Sequence, residues 1–309
     1  MTTTPPPIDL PAGLTARALA QADARAVFEV MAAAELLDVG EVVIEEADII
    51  GDWQRPSFDV GAQTIGVFDG DHLVGYGELS WADRCDAAVH PAYRGRGLGT
   101  ALARWIQATA RAAGSRIVGM PVPSGSPGEV LLRSLGYQQR WSSWVLQLPE
   151  GREIVSQPLP QGYSLRIATS EQDRVAAWQV VEDAFLEWSD RERTSYADWA
   201  AMLVDRPGFE PWNLRLAIDP DGAVVGVSVV LLADECGYVD KLATRKDQRN
   251  RGLARALLAD SFAAARAHGA TRSELSTDSR TGALSLYEKV GMVVTSTWVN
   301  LAIELEPED

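Results

Sequence analysis

Apolar residues recur in the same order twice along this chain. Each half opens on a short extended stretch that runs into a helix, LTARALAQADARAVFEVM and later YSLRIATSEQDRVAAWQVV. Each continues with a glycine-containing strand pair turned at Asp-Gly, TIGVFDGDHLVGYGELS and LRLAIDPDGAVVGVSVVLL. A short apolar strand follows, Asp86 to Val89 in one half and Tyr238 to Thr244 in the other. It leads through a glycine-bearing turn into an Ala- and Leu-rich helix. Leu98, Ala101, Leu102 and Trp105, and then Leu253, Ala256 and Leu257, hold the helical spacing of a buried face. Each half closes on a strand with a tryptophan, SSWVLQL and STWVNLAI.

The two halves align at a single offset of 155 residues. From Arg94 to Gly114 against Arg249 to Gly269, eleven of twenty-one positions are identical, and the same offset pairs Gly136 with Gly291. One offset sustained over that length means duplication of a whole domain. The stretch from Pro149 to Gly162 carries Pro158 and Pro160 and no periodic pattern, so it reads as the linker. The boundary is placed near residue 157, giving domains 1–156 and 157–309. Strands mixed with helices predict an α/β (α+β) protein of two similar domains.

Composition narrows the function. A length of 309 residues accommodates two cores, and the hydrophobic fraction of 46% is ordinary for globular domains. The opening MTTTPPPIDLPAG lacks the basic and apolar regions of a signal peptide, and no apolar run approaches the roughly 18 residues of a membrane span. The two cysteines, Cys85 and Cys236, fall in different halves, so a reducing cytoplasm is expected. A net charge of -15 argues against nucleic acid as a partner and is compatible with a cationic substrate. His72, His90 and His268 have no metal-ligand spacing, so no metal is expected.

The chemistry lies in the glycine turn. Small residues between a strand and a helix let a ligand approach the backbone, and the first N–H groups of the helix point outward to bind phosphate. Neither copy ends in the Gly-Lys-Ser/Thr of a nucleotide P-loop, and neither completes G-x-G-x-x-G. Both fit Arg-x-x-Gly-x-Gly/Ala. HPAYRGRGLGTAL and TRKDQRNRGLARALL resemble the acetyl-CoA pyrophosphate loop of the GNAT acetyltransferases, and TGALSLYEKVGM resembles that family's later tyrosine-bearing helix. The tandem arrangement is similar to that of its two-domain, mycothiol synthase-like members. The resemblance implies two GNAT-like domains, each a mixed, mostly antiparallel sheet flanked by helices.

It also implies a site. Leu242, Ala243 and Thr244 would offer backbone groups to the acetyl and pantetheine amides of acetyl-CoA. Arg249, Asn250, Arg251, Gly252, Leu253, Ala254 and Arg255 would wrap the pyrophosphate. The first-half counterparts are Ala87, Ala88 and Val89, with Gly95, Arg96, Gly97, Leu98, Gly99 and Thr100. Tyr287 sits at the family's general-acid position, whereas its counterpart Leu132 has no proton to give. The resemblance therefore implies catalysis in the C-terminal half, with the N-terminal half binding acetyl-CoA weakly or structurally. Asp240 is the candidate base, on the face that strand alternation assigns to Leu242 and Thr244, with Glu274 and Asp278 as rivals. Many relatives carry Asn seven residues before the tyrosine; here Arg280 stands there.

The expected reaction is direct N-acetylation of a small-molecule amine. Glu187, Trp188, Asp190, Tyr196 and Trp199 suggest an acidic, aromatic-walled pocket for a cationic acceptor, although the same rings would also suit a core. The alternatives are a non-catalytic acyl-CoA-binding module and, less in keeping with the glycines, a dinucleotide enzyme.

Overall fold

The computed structural model describes residues 6–155 and 158–306, and its elements repeat as the pattern does. The first half forms β1 (Thr15–Arg17), α1 (Ala24–Asp38), α2 (Glu46–Trp53), α3 (Val60–Gln63), β2 (Thr64–Asp69), β3 (His72–Trp81), β4 (Arg84–Val89), α4 (Leu98–Ala112), β5 (Ile117–Pro123), α5 (Pro127–Ser134) and β6 (Gln138–Gln147). The second forms β7 (Ser164–Ile167), α6 (Glu171–Phe185), α7 (Tyr196–Leu203), β8 (Leu214–Ile218), β9 (Val224–Ala233), β10 (Cys236–Thr244), α8 (Leu253–Ala267), β11 (Arg272–Asp278), α9 (Leu284–Lys289) and β12 (Val293–Glu304).

The chain separates into two compact units. One runs to Ser142 and takes the chain up again at Thr297; the other spans Ser143–Ser296. The boundary drawn from sequence falls at 156 and 157, outside the described residues. The tryptophan strands explain why the units divide elsewhere. Strand β12 pairs antiparallel with β5, setting Val299 opposite Val122 and Leu301 opposite Met120. Strand β6 pairs antiparallel with β11 from Ser143 to Gln147, setting Leu146 opposite Leu275. Each half's closing strand therefore completes the other unit's sheet. Leu301 packs among the buried residues of the first unit with Leu102 and Trp105, and Leu146 among those of the second with Phe262 and Leu275.

The strand order is β1-β2-β3-β4-β5-β12 in the first unit and β7-β8-β9-β10-β11-β6 in the second. All pairs within them are antiparallel except β4–β5 and β10–β11, the mixed sheet that was expected. Helices cover both faces. In the second unit Leu257, Leu258 and Phe262 of α8 pack on one side. Val180 and Val181 of α6, with Trp199 of α7, pack against Val227, Val229 and Ala243 on the other.

One local device repeats at the start of each unit. Asp173 accepts from Arg166 at 2.6 and 2.8 Å, tying the opening helix to the opening strand, and Ser170 caps that helix by accepting from the Asp173 N–H. Asp23 holds Arg17 in the same way at 2.7 and 2.8 Å. Helices α4 and α8 are different: they begin at Gly97 and Gly252 with no side-chain cap, so their first N–H groups stay open.

Candidate active site

In the second unit β10 and β11 run parallel and in register from Cys236 opposite Arg272 to Val239 opposite Leu275. Beyond that pair they part. Strand β10 continues to Thr244 against β9, while β11 continues to Asp278 against β6. The inner edge of β10 from Lys241 to Thr244 thus carries backbone groups with no neighbouring strand, and Leu242, Ala243 and Thr244 lie on it. The first unit parts sooner: β4 meets β5 only at Arg84 opposite Gly119, and Ala87, Ala88 and Val89 lie beyond.

A loop follows each of these strands. Asn250 and Gly252 adopt left-handed φ values of 62° and 80°, matching Gly95 at 74° and Gly97 at 86°. Asparagine tolerates that conformation better than most side chains, which explains its place opposite a glycine. Left-handed residues alternating with ordinary ones turn successive N–H groups to one side, the geometry of an anion nest. The N–H groups of Leu253, Ala254 and Arg255 precede the first helical bond, made by Ala256 N–H to Gly252 O at 3.0 Å. The helix dipole adds partial positive charge there.

Three side chains at this cradle carry unsatisfied polarity. Thr244 is 9% exposed and its Oγ1 has no hydrogen-bond partner among the described residues, and Nε of Arg255 is likewise buried without one among them. Arg251 is exposed and has no ion-pair or hydrogen-bond partner among the described residues. Buried polar atoms are normally paired, so these orphans suit a polyamide and diphosphate ligand such as coenzyme A. Arg249 is different. Its guanidinium is engaged by Glu187 at 2.6 and 3.0 Å, so it offers the cradle its backbone alone.

Tyr287 lies on α9, 8% exposed, among Val239, Leu275 and Met292. Its hydroxyl has no hydrogen-bond partner among the described residues, and burial pushes the phenol up to about 12. It stays protonated at neutral pH, as a proton donor must. Leu132 fills the same slot in the first unit at 5% exposure.

Asp240 is where alternation fails. The β9–β10 ladder shifts between Val239 and Lys241, leaving Asp240 as a bulge residue. Its carboxylate meets Lys241 Nζ at 3.0 Å. Neighbours in a regular strand point to opposite faces, so this contact is a product of the bulge, and Asp240 does not share a face with Leu242 and Thr244 by simple alternation. The rival carboxylates are also paired: Asp278 with Arg280 at 2.6 Å and Glu274 with Arg272 at 3.6 Å. Lys241 carried no signal in the sequence, because nothing there marks the bulge.

The residues expected to wall an acceptor pocket are not gathered together. Trp199 is 4% exposed in the core, and Tyr196 stacks on it at 5.9 Å while donating to Glu171. Glu187 grips the loop, and Asp190 is exposed. Of the five, Trp188 stands with the groups of the strand gap: it packs on Phe185 at 5.2 Å and carries Arg280 over its ring at 4.8 Å. An open groove of about 560 Å³ lies elsewhere in this unit, between α6 and the β8–β9 turn, and includes none of the predicted site residues.

The model of the acetyltransferase (GNAT) family matches residues 32–123 and 175–292. A mycothiol acetyltransferase of Salinispora arenicola is 32% identical over 77% of this chain and 80% of its own length. That of Salinispora tropica is 32% identical over 70% of this chain and 71% of its own. Among solved structures, a GCN5-related N-acetyltransferase from Sphaerobacter thermophilus superposes with a TM-score of 0.74 at 26% identity, covering 97% of this chain and 98% of that one. A tandem GNAT protein from the clavulanic acid biosynthesis pathway also gives 0.74, at 20% identity, over 96% of this chain and 100% of its own.

Proposed function

Because the chain belongs to the acetyltransferase (GNAT) family, as a tandem member with acetyl-CoA-dependent activity, we propose that its second unit performs the transfer, directly onto the amine of a small molecule. One observation carries this reading. The orphaned polar atoms of Thr244 and Arg255 and the unpartnered Tyr287 hydroxyl all belong to the second unit, beside parted strands and an open helix start.

In the proposed site the open N–H groups of Leu253, Ala254 and Arg255, with Asn250, Arg251 and Gly252, hold the diphosphate of acetyl-CoA. The free edge from Leu242 to Thr244 takes the pantetheine amides. Arg249 keeps the loop in place through Glu187 and the Thr244 carbonyl.

The acceptor arrives as an ammonium ion. With a pKa near 10.4, about one amine in 2500 is neutral at pH 7, a deficit of roughly 4.6 kcal/mol. Asp240 takes the amine proton, directly or through water. The nitrogen then bonds to the acetyl carbon and backbone N–H groups of β10 stabilise the oxyanion; the nitrogen gives up its second proton to water, to which Asp240 also returns the first, and the carbon–sulfur bond breaks. Tyr287 delivers its proton to the departing thiolate and regains one from solvent.

Curated relatives carry the name mycothiol acetyltransferase, so an acceptor of that kind heads the panel to be tried. The experiment is a free-thiol release assay with acetyl-CoA over small amines, with the N-acetyl product identified by mass. Release of thiol that depends on an amine and is lost in Tyr287→Phe supports the reading. Acetyl-CoA binding with no amine-dependent release from any acceptor refutes it.

A further inference from the structure

The offset of 155 lets the two cradles be compared position by position, and they are not equivalent. Among the described residues of the second unit Arg251 is exposed without a partner, Arg255 keeps a buried orphan Nε, and Thr244 keeps an orphan Oγ1. In the first unit each is replaced or engaged. Arg96 folds back, donating to the Ala92 carbonyl at 3.2 Å and lying 4.9 Å over the Tyr93 ring. Thr100 stands where Arg255 does, and Val89 where Thr244 does.

The small residue that ends the loop motif points the same way. A Cβ on Gly99 would come within 2.7 Å of Leu131 Cδ2, so a side chain of α5 already lies against the first turn of α4. Ala254 has that methyl in the second unit, and Leu286, in the place of Leu131, is 43% exposed. Helix α5 packs along α4, whereas α9 approaches α8 less. At the first turn of the helix, then, the first unit sets Leu131 against Gly99, while the second carries Ala254 and the more exposed Leu286.

We propose that the chain binds one coenzyme A per molecule, in the second unit, and that the first unit is a closed copy whose Leu131 occupies the space of the ligand. The proposal rests on the reading of the second cradle as the acetyl-CoA site. It also supplies a reason for the closed copy to persist. The first unit needs strand β12 from Thr297 on, and the second needs Ser143 to Gln147 of β6, so neither repeat keeps its sheet complete if the other is lost.

Calorimetric titration of the full chain with coenzyme A tests this, beside thermal melts of each variant. The expected result is one site per chain. Ala254→Leu, which puts bulk on the open hollow, should abolish all binding. Arg255→Met, which keeps the aliphatic stem, should weaken binding about tenfold to a hundredfold with little change in melting. Two sites per chain overturn the proposal, as does one site whose affinity survives both substitutions. Absence of binding in the unaltered chain would instead refute the reading of the second cradle.

Discussion

Arg249 and Glu187 meet end-on, two guanidinium nitrogens on two carboxylate oxygens at 2.6 and 3.0 Å, while Arg249 Nε reaches the Thr244 carbonyl at 3.4 Å. Arg94 repeats the arrangement with Asp38 at 2.6 and 2.9 Å and with the Val89 carbonyl at 3.4 Å. The first arginine of the loop motif is therefore a clamp. It joins the end of the opening helix to the end of the central strand and sets the loop between them.

Arg249→Met should accordingly act on the donor more than on the fold. The pair is partly exposed, so its loss costs about 1 kcal/mol or less. The KM for acetyl-CoA should rise several-fold with kcat nearly kept. Steady-state kinetics beside thermal melts would show it, and an unchanged KM would mean the clamp does not hold the loop.

Tyr287→Phe keeps the ring and removes only the hydroxyl. We expect kcat to fall on the order of 10²- to 10⁴-fold with a melting temperature close to that of the parent. Burial raises this phenol to about 12, so it stays protonated through the neutral range. The pH profile of the unaltered enzyme should then show no loss of rate from this group below about pH 10.

The exchange of closing strands makes a prediction that runs against chain order. Leu301, near the C-terminus, is 0% exposed in the core of the first unit, and Leu146 is 0% exposed in that of the second. Leu301→Ala should cost about 2–5 kcal/mol and loosen amides of β5, far earlier in the chain; Leu146→Ala should do the same to β11. Hydrogen exchange resolved by peptide separates the two. Protection lost in the sequence-proximal half in both cases would contradict the exchange.

A group of carboxylates in the first unit should make its stability depend on pH. Burial, then the neighbouring Glu78, raises Asp86 to about 7, and the same two causes raise Asp52 to about 6. Glu78 itself is 4% exposed and accepts from Trp53 Nε1 at 2.9 Å. A carboxyl whose folded value lies above its unfolded one binds more proton when folded, so stability falls as pH rises from about 4 to about 7. Asp86→Asn removes the ionisation and can keep the bond that Oδ1 accepts from the Ala87 N–H. Calorimetric melts should show the variant a few degrees more stable at pH 8, the difference shrinking through pH 5 and gone below about pH 4.

The candidate site was legible where function depends on backbone. Asn250, Gly252 and the start of α8 were readable from residue type, because left-handed turns and open helix ends need particular small or tolerant residues at fixed spacing. Side-chain relations were less so. Asp240 was assigned a face by alternation, and a bulge that leaves no mark in composition turned it toward Lys241. Tyr196 and Trp199 could have walled a pocket or filled a core, and packing put them in the core. Glu187 was read as a ligand for the acceptor, yet it holds Arg249, a partner 62 residues away.

The amino-acid order alone determined that there are two copies of one domain, that each places a glycine loop between a strand and a helix, and that only the second carries the tyrosine. These are local or periodic properties, written in residue type and spacing. Tertiary structure alone decided which sheet each closing strand joins and which helix start has a leucine of the next helix packed on it. Both strands present the same apolar alternation and both loops the same turn. The choice rests on contacts between residues far apart in the chain, such as Leu301 on Met120 and Leu131 on Gly99, which no local pattern encodes.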